Sequence, residues 1–202
     1  FQPVAILKDK LTLGGTNFFT RSLLTIQFII SIVGIVCSLA FISNANYQKE
    51  YDLGYDKKGV TYTFLNNKAE YETFRNRLLQ NPDVISVAGS RHHINASSFK
   101  DPIKYEGTEM EVIIMDVGDE YVKTMGFELI EGRDFILNSQ TDMKESVLIT
   151  ENLASEWGWH DPIGKEVVWM DTAHYRVIGV IKNVLSYGLM AKADPMMLRY
   201  QG

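Results

Sequence analysis

From Leu23 to Ile42 the chain reads LLTIQFIISIVGIVCSLAFI, twenty residues without a charge. At about 1.5 Å of rise per residue, a helix of that length matches the roughly 30 Å hydrocarbon core of a bilayer. Soluble helices are rarely apolar on every face for so long. The region also exceeds the roughly 7–15 apolar residues of a signal peptide, and Asn44-Ala45-Asn46-Tyr47 is a poor cleavage site. The pattern predicts a transmembrane helix over Leu23–Ser43. The hydroxyls of Thr25, Ser31 and Ser38 can return hydrogen bonds to the helix backbone. Gln27 has no such local solution and favours a neighbouring helix, so the span is expected in a bundle.

After the span the periodicity changes repeatedly. The helix is expected to continue as a stalk through Asn46, Tyr47 and Tyr51 and to stop at Leu53-Gly54-Tyr55-Asp56, with Gly54 in the left-handed position. Val60–Leu65 and Val84–Ala88 read as strands, and Ala69–Gln80 between them reads as a helix, making a β-α-β unit. Arg91–Asp101 is polar and irregular. Ile103–Glu106 and Glu109–Met115 flank Gly107-Thr108 as a hairpin. A short helix over Glu120–Met125, an extended Phe127–Ile130, a buried strand over Ser146–Ile149 and a helix over Glu151–Trp157 capped by Thr150 follow. Glu166–Met170, Tyr175–Ile181 and Met197–Tyr200 complete the set as strands. Strands and helices alternate irregularly and no fixed period repeats, which predicts an α+β domain.

Charge orients the span. Residues 1–43 carry Lys8, Lys10 and Arg21 against Asp9, a balance of +2, while the remaining residues balance at −7. The basic excess ahead of the span places residues 1–22 in the cytoplasm and residue 44 onward outside. An acidic outer domain without a Lys/Arg cluster argues against nucleic acid as a partner. The one cysteine, Cys37, lies in the span, so the outer domain can form no internal disulfide and no thiolate metal site.

Candidate chemistry is sparse. Adjacent His92 and His93 diverge on a strand or a helix, so they are poor joint metal ligands and read as solvated loop residues. Asp116, Asp119 and Glu120, like Glu151 and Glu156, lie where helix N-termini favour acids, and capping is the expected role. In Gly132-Arg133-Asp134 the expected arrangement is an Arg133–Asp134 pair pinning a turn. Arg91, His92, His93, Arg133 and Asp134 are the candidate contact residues. No G-x-S-x-G elbow and no P-loop occur, so catalytic and cofactor residues are expected to be absent from this chain.

Several short motifs follow in order: Asp52-Leu53-Gly54-Tyr55, Asn81-Pro82-Asp83-Val84, Met125-Gly126-Phe127, Glu131-Gly132-Arg133-Asp134-Phe135, Val147-Leu148-Ile149-Thr150-Glu151, Asp161-Pro162-Ile163-Gly164 and Val177-Ile178-Gly179-Val180-Ile181-Lys182-Asn183. In this order, behind a membrane helix, the chain resembles the FtsX/MacB-type ABC-transporter permeases and their MacB-like periplasmic core domain. Thr150 and Asn183 depart from it, since the family often has Asn and Asp there. The resemblance implies residues 1–22 as a cytoplasmic linker, 23–43 as the span, 44–58 as stalk and turn, and 59–202 as the periplasmic core domain in two subdomains. It also implies that the chain is a segment of a longer permease in the bacterial inner membrane. No cofactor is expected in the chain itself, with ATP on a separate ABC ATPase subunit. Expected partners are that subunit, other transmembrane helices of the same permease or a second permease copy, and a periplasmic or outer-membrane protein. The residues alone leave open a single-pass anchored binding or sensor module.

Overall fold

A computed structural model describes residues 18–94, 99–186, 188–190 and 192–201. Most of the linker, including Lys8 and Lys10, and residues 95–98 of the irregular Arg91–Asp101 stretch lie outside the described residues. The chain divides into two units, residues 1–51 and 52–202.

In the first unit, α1 (Phe18–Glu50) is one 33-residue helix with no buried residue. It is the one helix among the described residues long and apolar enough to cross a membrane. Its length of roughly 50 Å exceeds a bilayer core. Thr25, Ser31 and Ser38 each donate a hydroxyl hydrogen bond to the carbonyl four residues back, at 2.8–2.9 Å, as their chemistry predicts. The stalk is helical to Glu50, and the Tyr51 amide closes the last turn on the Tyr47 carbonyl at 3.0 Å.

The second unit opens with α2 (Lys68–Leu78), capped by the Asn67 side chain, which accepts from the Glu70 amide at 2.9 Å. Seven strands follow: β1 (Phe99–Tyr105), β2 (Thr108–Val117), β3 (Leu129–Gly132), β4 (Ser146–Thr150), β5 (Glu166–Trp169), β6 (Ala173–Ile181) and β7 (Met196–Tyr200). Between them lie three short helices, α3 (Tyr121–Thr124), α4 (Gln140–Glu145) and α5 (Glu151–Glu156). The β1–β2 hairpin turns at Glu106-Gly107, with Tyr105 opposite Thr108. The class is α+β.

The sheet closes on itself. Its order is β3-β6-β4-β7-β2-β1-β5, and β5 pairs with β6 as well as β1. Six strands thus form a barrel, and β3 extends the same edge of β6 beyond β5. Strand alternation sorts the core into two sets. Ile103, Val112, Ile114, Val147, Val167 and Met197 point inward. Ile113, Met115, Leu148, Met196 and Leu198 point outward, under Tyr55, Tyr121, Val122, Met125 and Phe127. Being covered on both faces, β4 and β7 are buried at every position, which explains their uninterrupted apolar reading.

Two expectations need correction. Val60–Leu65 and Val84–Ala88 enter no ladder, so the β-α-β unit is not formed. β-branched residues suit a pleated chain, but a strand exists only with a hydrogen-bonded neighbour; Tyr62 instead stacks on His93. Finally, Thr150 occupies the N-cap position of α5 without capping it. Its hydroxyl accepts from the Met196 amide at 2.9 Å, and the side chain of Asn183 caps the helix by accepting from the Asn152 amide at 2.7 Å. The two departures from the family pattern therefore meet at one helix end.

Candidate functional site

Three arrangements in residues 52–202 hold polar groups in defined geometry. The first is the turn that follows α1 in the chain. Asp52 Oδ1 accepts from the Gly54 amide at 2.8 Å, an Asx-turn. Asp52 Oδ2 accepts from Lys182 Nζ at 3.1 Å, and Lys182 also reaches Glu128 at 3.1 Å. The Gly54 hydrogen bond and then Lys182 hold the Asp52 carboxyl below its usual range. The Leu53 carbonyl accepts from the Leu185 amide at 2.9 Å, and the Asp56 amide donates to the Met125 carbonyl at 2.7 Å. Tyr55 is buried in the outward core. Gly54 has φ +81°, and a Cβ there would lie 2.1 Å from the Asn183 carbonyl oxygen. The turn is thus fastened by backbone to the exit of β6 and the end of α3.

The second arrangement is an ion pair inside the barrel. Arg199 (6% exposed) faces Asp116 (9% exposed) across the β2–β7 ladder. Its Nε and Nη2 donate to Asp116 Oδ1 at 2.8 and 2.5 Å, and Nη1 donates to the Tyr175 hydroxyl at 3.0 Å. The guanidinium lies 4.1 Å from the Trp169 ring centroid and 5.5 Å from that of Tyr175. Arg91 Nη1 approaches the other Asp116 oxygen at 3.4 Å, but its side chain is 73% exposed. The carboxyls of the 116–120 segment therefore do not cap a helix. Asp116 neutralises a buried arginine, Asp119 accepts a hydrogen bond from the Tyr200 hydroxyl, and Glu120 sits at φ +57° with no capping bond.

The third is the segment from Arg133 to Asp142. Arg133 pairs with Asp142, not with Asp134, through two bonds of 2.8 Å. The partner lies nine residues away because the chain folds back through α4, whose first turn carries Asp142. Asp142 also accepts from the Ile136 amide at 2.8 Å and the Ser146 hydroxyl at 2.9 Å. Arg133 foremost, assisted by those donors, depresses its carboxyl to about 2. Asp134 accepts from its neighbour Phe135, and burial pushes its carboxyl above the usual range. It lines a cleft of about 100 Å³ with Tyr121, Val122, Phe135, Leu137 and Tyr200, below the roughly 300–1,000 Å³ of small-molecule sites.

Asp142 supplies an acid-stability prediction. A carboxyl depressed in the folded state adds stability that is fully present above its ordinary value near 4 and is lost as pH falls towards 2. Because its side chain is 1% exposed, the contribution is about 2 kcal/mol. The shift of Asp134 has the opposite sign and partly offsets it. Urea titrations of the full chain in detergent, followed by tryptophan fluorescence, should show Asp142→Asn destabilised at pH 7 and the gap to wild type closing by pH 2. A gap independent of pH would sink this assignment.

His92 and His93 diverge, as adjacency predicts, but neither is simply solvated. His93 stacks on Tyr62 at 3.9 Å and His92 lies 6.5 Å from the Phe99 ring. Burial lowers the His93 titration below its usual value. Among the described residues no three His, Cys, Asp or Glu side chains form a group able to hold a metal. The five candidate contact residues do not converge on one point: Arg91 serves Asp116, the histidines flank residues 95–98, and Arg133 and Asp134 serve the 133–142 segment. The pairs Arg199–Asp116 and Arg133–Asp142 escape sequence reading because their partners lie 83 and 9 residues apart. A lone cation in the apolar run Met196-Met197-Leu198-Arg199-Tyr200 is the signal that calls for a buried carboxylate.

The model of the MacB-like periplasmic core domain matches residues 22–198. The macrolide export ATP-binding/permease protein MacB of Bartonella henselae is 24% identical over 206 aligned positions, covering 87% of this chain and 31% of that protein. The chain thus spans about a third of that relative's length. The periplasmic region of MacB from Actinobacillus actinomycetemcomitans is 19% identical, with a TM-score of 0.48 over 68% of this chain and 56% of its own. The extracellular domain of the ABC-type transporter YknZ, from Gram-positive bacteria, has the same identity and TM-score over 64% of this chain and 62% of its own.

Proposed function

The chain belongs to the family of the MacB-like periplasmic core domain, and from that premise we propose that it is the permease segment of an ABC transporter of the FtsX/MacB type. Its outer domain passes ATP-driven motion of the membrane helices to a periplasmic substrate or protein partner, by export or by mechanotransmission. The observation that carries this reading is the family match, which begins inside α1 and runs to β7 in one piece. Most of the helix and the domain thus fall within one family match. The turn at Asp52–Asp56 supports it physically. The first residues after the helix are bonded by backbone to Met125 and Leu185, the local stiffness a force-bearing junction needs.

In this reading the domain performs no covalent chemistry and holds no cofactor. ATP is bound and hydrolysed by an ABC ATPase subunit, and the span packs through Gln27 against other helices of the permease or of a second copy. Residues 1–22 lie in the cytoplasm of a cell with this permease in its inner membrane, and the outer domain lies in the periplasm. Arg91, His92, His93, Arg133 and Asp134 remain candidate contacts for the outer partner.

The test is purification of the parent permease from native membranes through a tag on this chain. An ATP-hydrolysing subunit should accompany it, and a cysteine introduced as Ser155→Cys should react with a membrane-impermeant maleimide from outside the intact inner membrane. A chain isolated with a signalling protein and no ATPase would instead be an anchored sensor, and labelling from the cytoplasmic side would overturn the topology.

A further inference from the structure

We propose that residues 59–89 form a hinged arm, which swings off the barrel as one unit about Gly59 and Gly89 while the barrel stays folded. Both ends of the stretch adjoin fixed points. Ahead of it the Asp56 amide is bonded to the Met125 carbonyl at 2.7 Å. Behind it the Gly118 amide donates to the Gly89 carbonyl and the Arg91 amide to the Asp116 carbonyl, both at 2.9 Å. Gly59 has φ +75° and no atom within 4 Å of an added Cβ, the freedom a pivot needs.

Between these points the chain holds on to itself more than to the barrel. Its backbone bonds, from Tyr71 to Asn67 through Val84 to Asn81, close within the stretch, and Val60–Leu65 and Val84–Ala88 join no ladder. α2 buries no residue. At 11 residues it is shorter than the roughly 12–15 below which an isolated helix is marginal in water. Its persistence therefore depends on the few side chains that hold the arm to the barrel.

Those contacts form a weak latch. Val60 and Ala88, each half-buried, pack on the outward core, and Tyr62 stacks on His93 at 3.9 Å. The Tyr71 ring lies against Gly89, where an added Cβ would come within 3.1 Å of it. Arg75 reaches Glu120 at 4.0 Å with side chains 30% and 35% exposed, so water screens the pair, and Lys123 shares the same carboxylate group. Arg75 also keeps its Nε buried with no hydrogen-bond partner among the described residues, a cost that opening relieves. A segment with so few buried apolar contacts opens well before the strands it rests on. The arm is a property of this chain and does not depend on the permease reading.

Hydrogen exchange of the full chain in detergent micelles, followed by NMR, tests this. The amides of residues 72–78 should share one protection factor, at least about a hundredfold below that of the β4 and β7 amides. Tyr71→Ala should lower all of them together by about fivefold, although alanine is the better helix former. The same variant should leave the urea midpoint of the barrel, read by tryptophan fluorescence, where it is in wild type. Glu72→Ala, at an exposed position of α2, should not lower the protection. Protection equal to that of the strands would show that arm and barrel open only together. A graded loss towards the ends of α2 would be fraying, and a rise in protection in Tyr71→Ala would make α2 a locally stabilised helix. Each of these, or a Tyr71→Ala barrel that loses its urea transition, would overturn the proposal.

Discussion

Asp116→Ala is expected to cost the outer domain about 3–5 kcal/mol. The substitution removes the acceptor of two Arg199 donors and leaves the guanidinium of Arg199, a residue 6% exposed, facing the Tyr175 hydroxyl and the Trp169 and Tyr175 rings. An uncompensated buried charge, rather than the lost attraction, sets that figure. Replacing both partners, as Asp116→Leu with Arg199→Met, should therefore recover most of the loss, because an apolar pair of similar volume needs no desolvation. Arg91→Ala should cost below about 1 kcal/mol, since its side chain is 73% exposed and water screens the pair. Urea denaturation of the full chain in detergent reads all three variants. All three tryptophans, Trp157, Trp159 and Trp169, lie outside α1, so their fluorescence reports the outer domain alone. A double variant as unstable as Asp116→Ala would show that the pair shapes the barrel interior in a way apolar groups cannot replace.

Gly54→Ala should open the turn behind α1 without unfolding the barrel. Alanine pays roughly 1–2 kcal/mol to hold a left-handed φ, and here its Cβ would also stand 2.1 Å from the Asn183 carbonyl oxygen. The backbone must move apart, and the Leu185–Leu53 bond is the first to go. A local loss of about 2 kcal/mol corresponds to roughly thirtyfold faster exchange of the Leu185 amide hydrogen, with strand amides of β4 and β7 unchanged. Gly59 is the control. It has φ +75° but nothing within 4 Å of an added Cβ, so Gly59→Ala should carry the conformational cost alone. On the permease reading proposed above, Gly54→Ala should leave ATP hydrolysis intact and depress the work done outside. Unaltered work outside would locate the force path elsewhere.

The sequence carried the features that depend on neighbours along the chain. Twenty uncharged residues determine α1, because length and polarity are local properties. The Asn81-Pro82 stop, the Gly107 hairpin and the Gly54 turn were legible for the same reason, each resting on dihedral preferences of one or two residues. The ordered turn motifs were enough to point to the family. What only the tertiary structure decided is where polar groups find partners and which pleated segments find neighbours. Val60–Leu65 has the composition of a strand, yet it forms none, because ladder bonds come from another segment. Thr150 reads as a cap, but the Met196 amide claims its hydroxyl and Asn183 supplies the cap from 31 residues away. Arg133 passes over adjacent Asp134 for Asp142, whose position on α4 offers both oxygens to the guanidinium fork. Burial and pairing are properties of the closed barrel as a whole, and no window along the chain contains them.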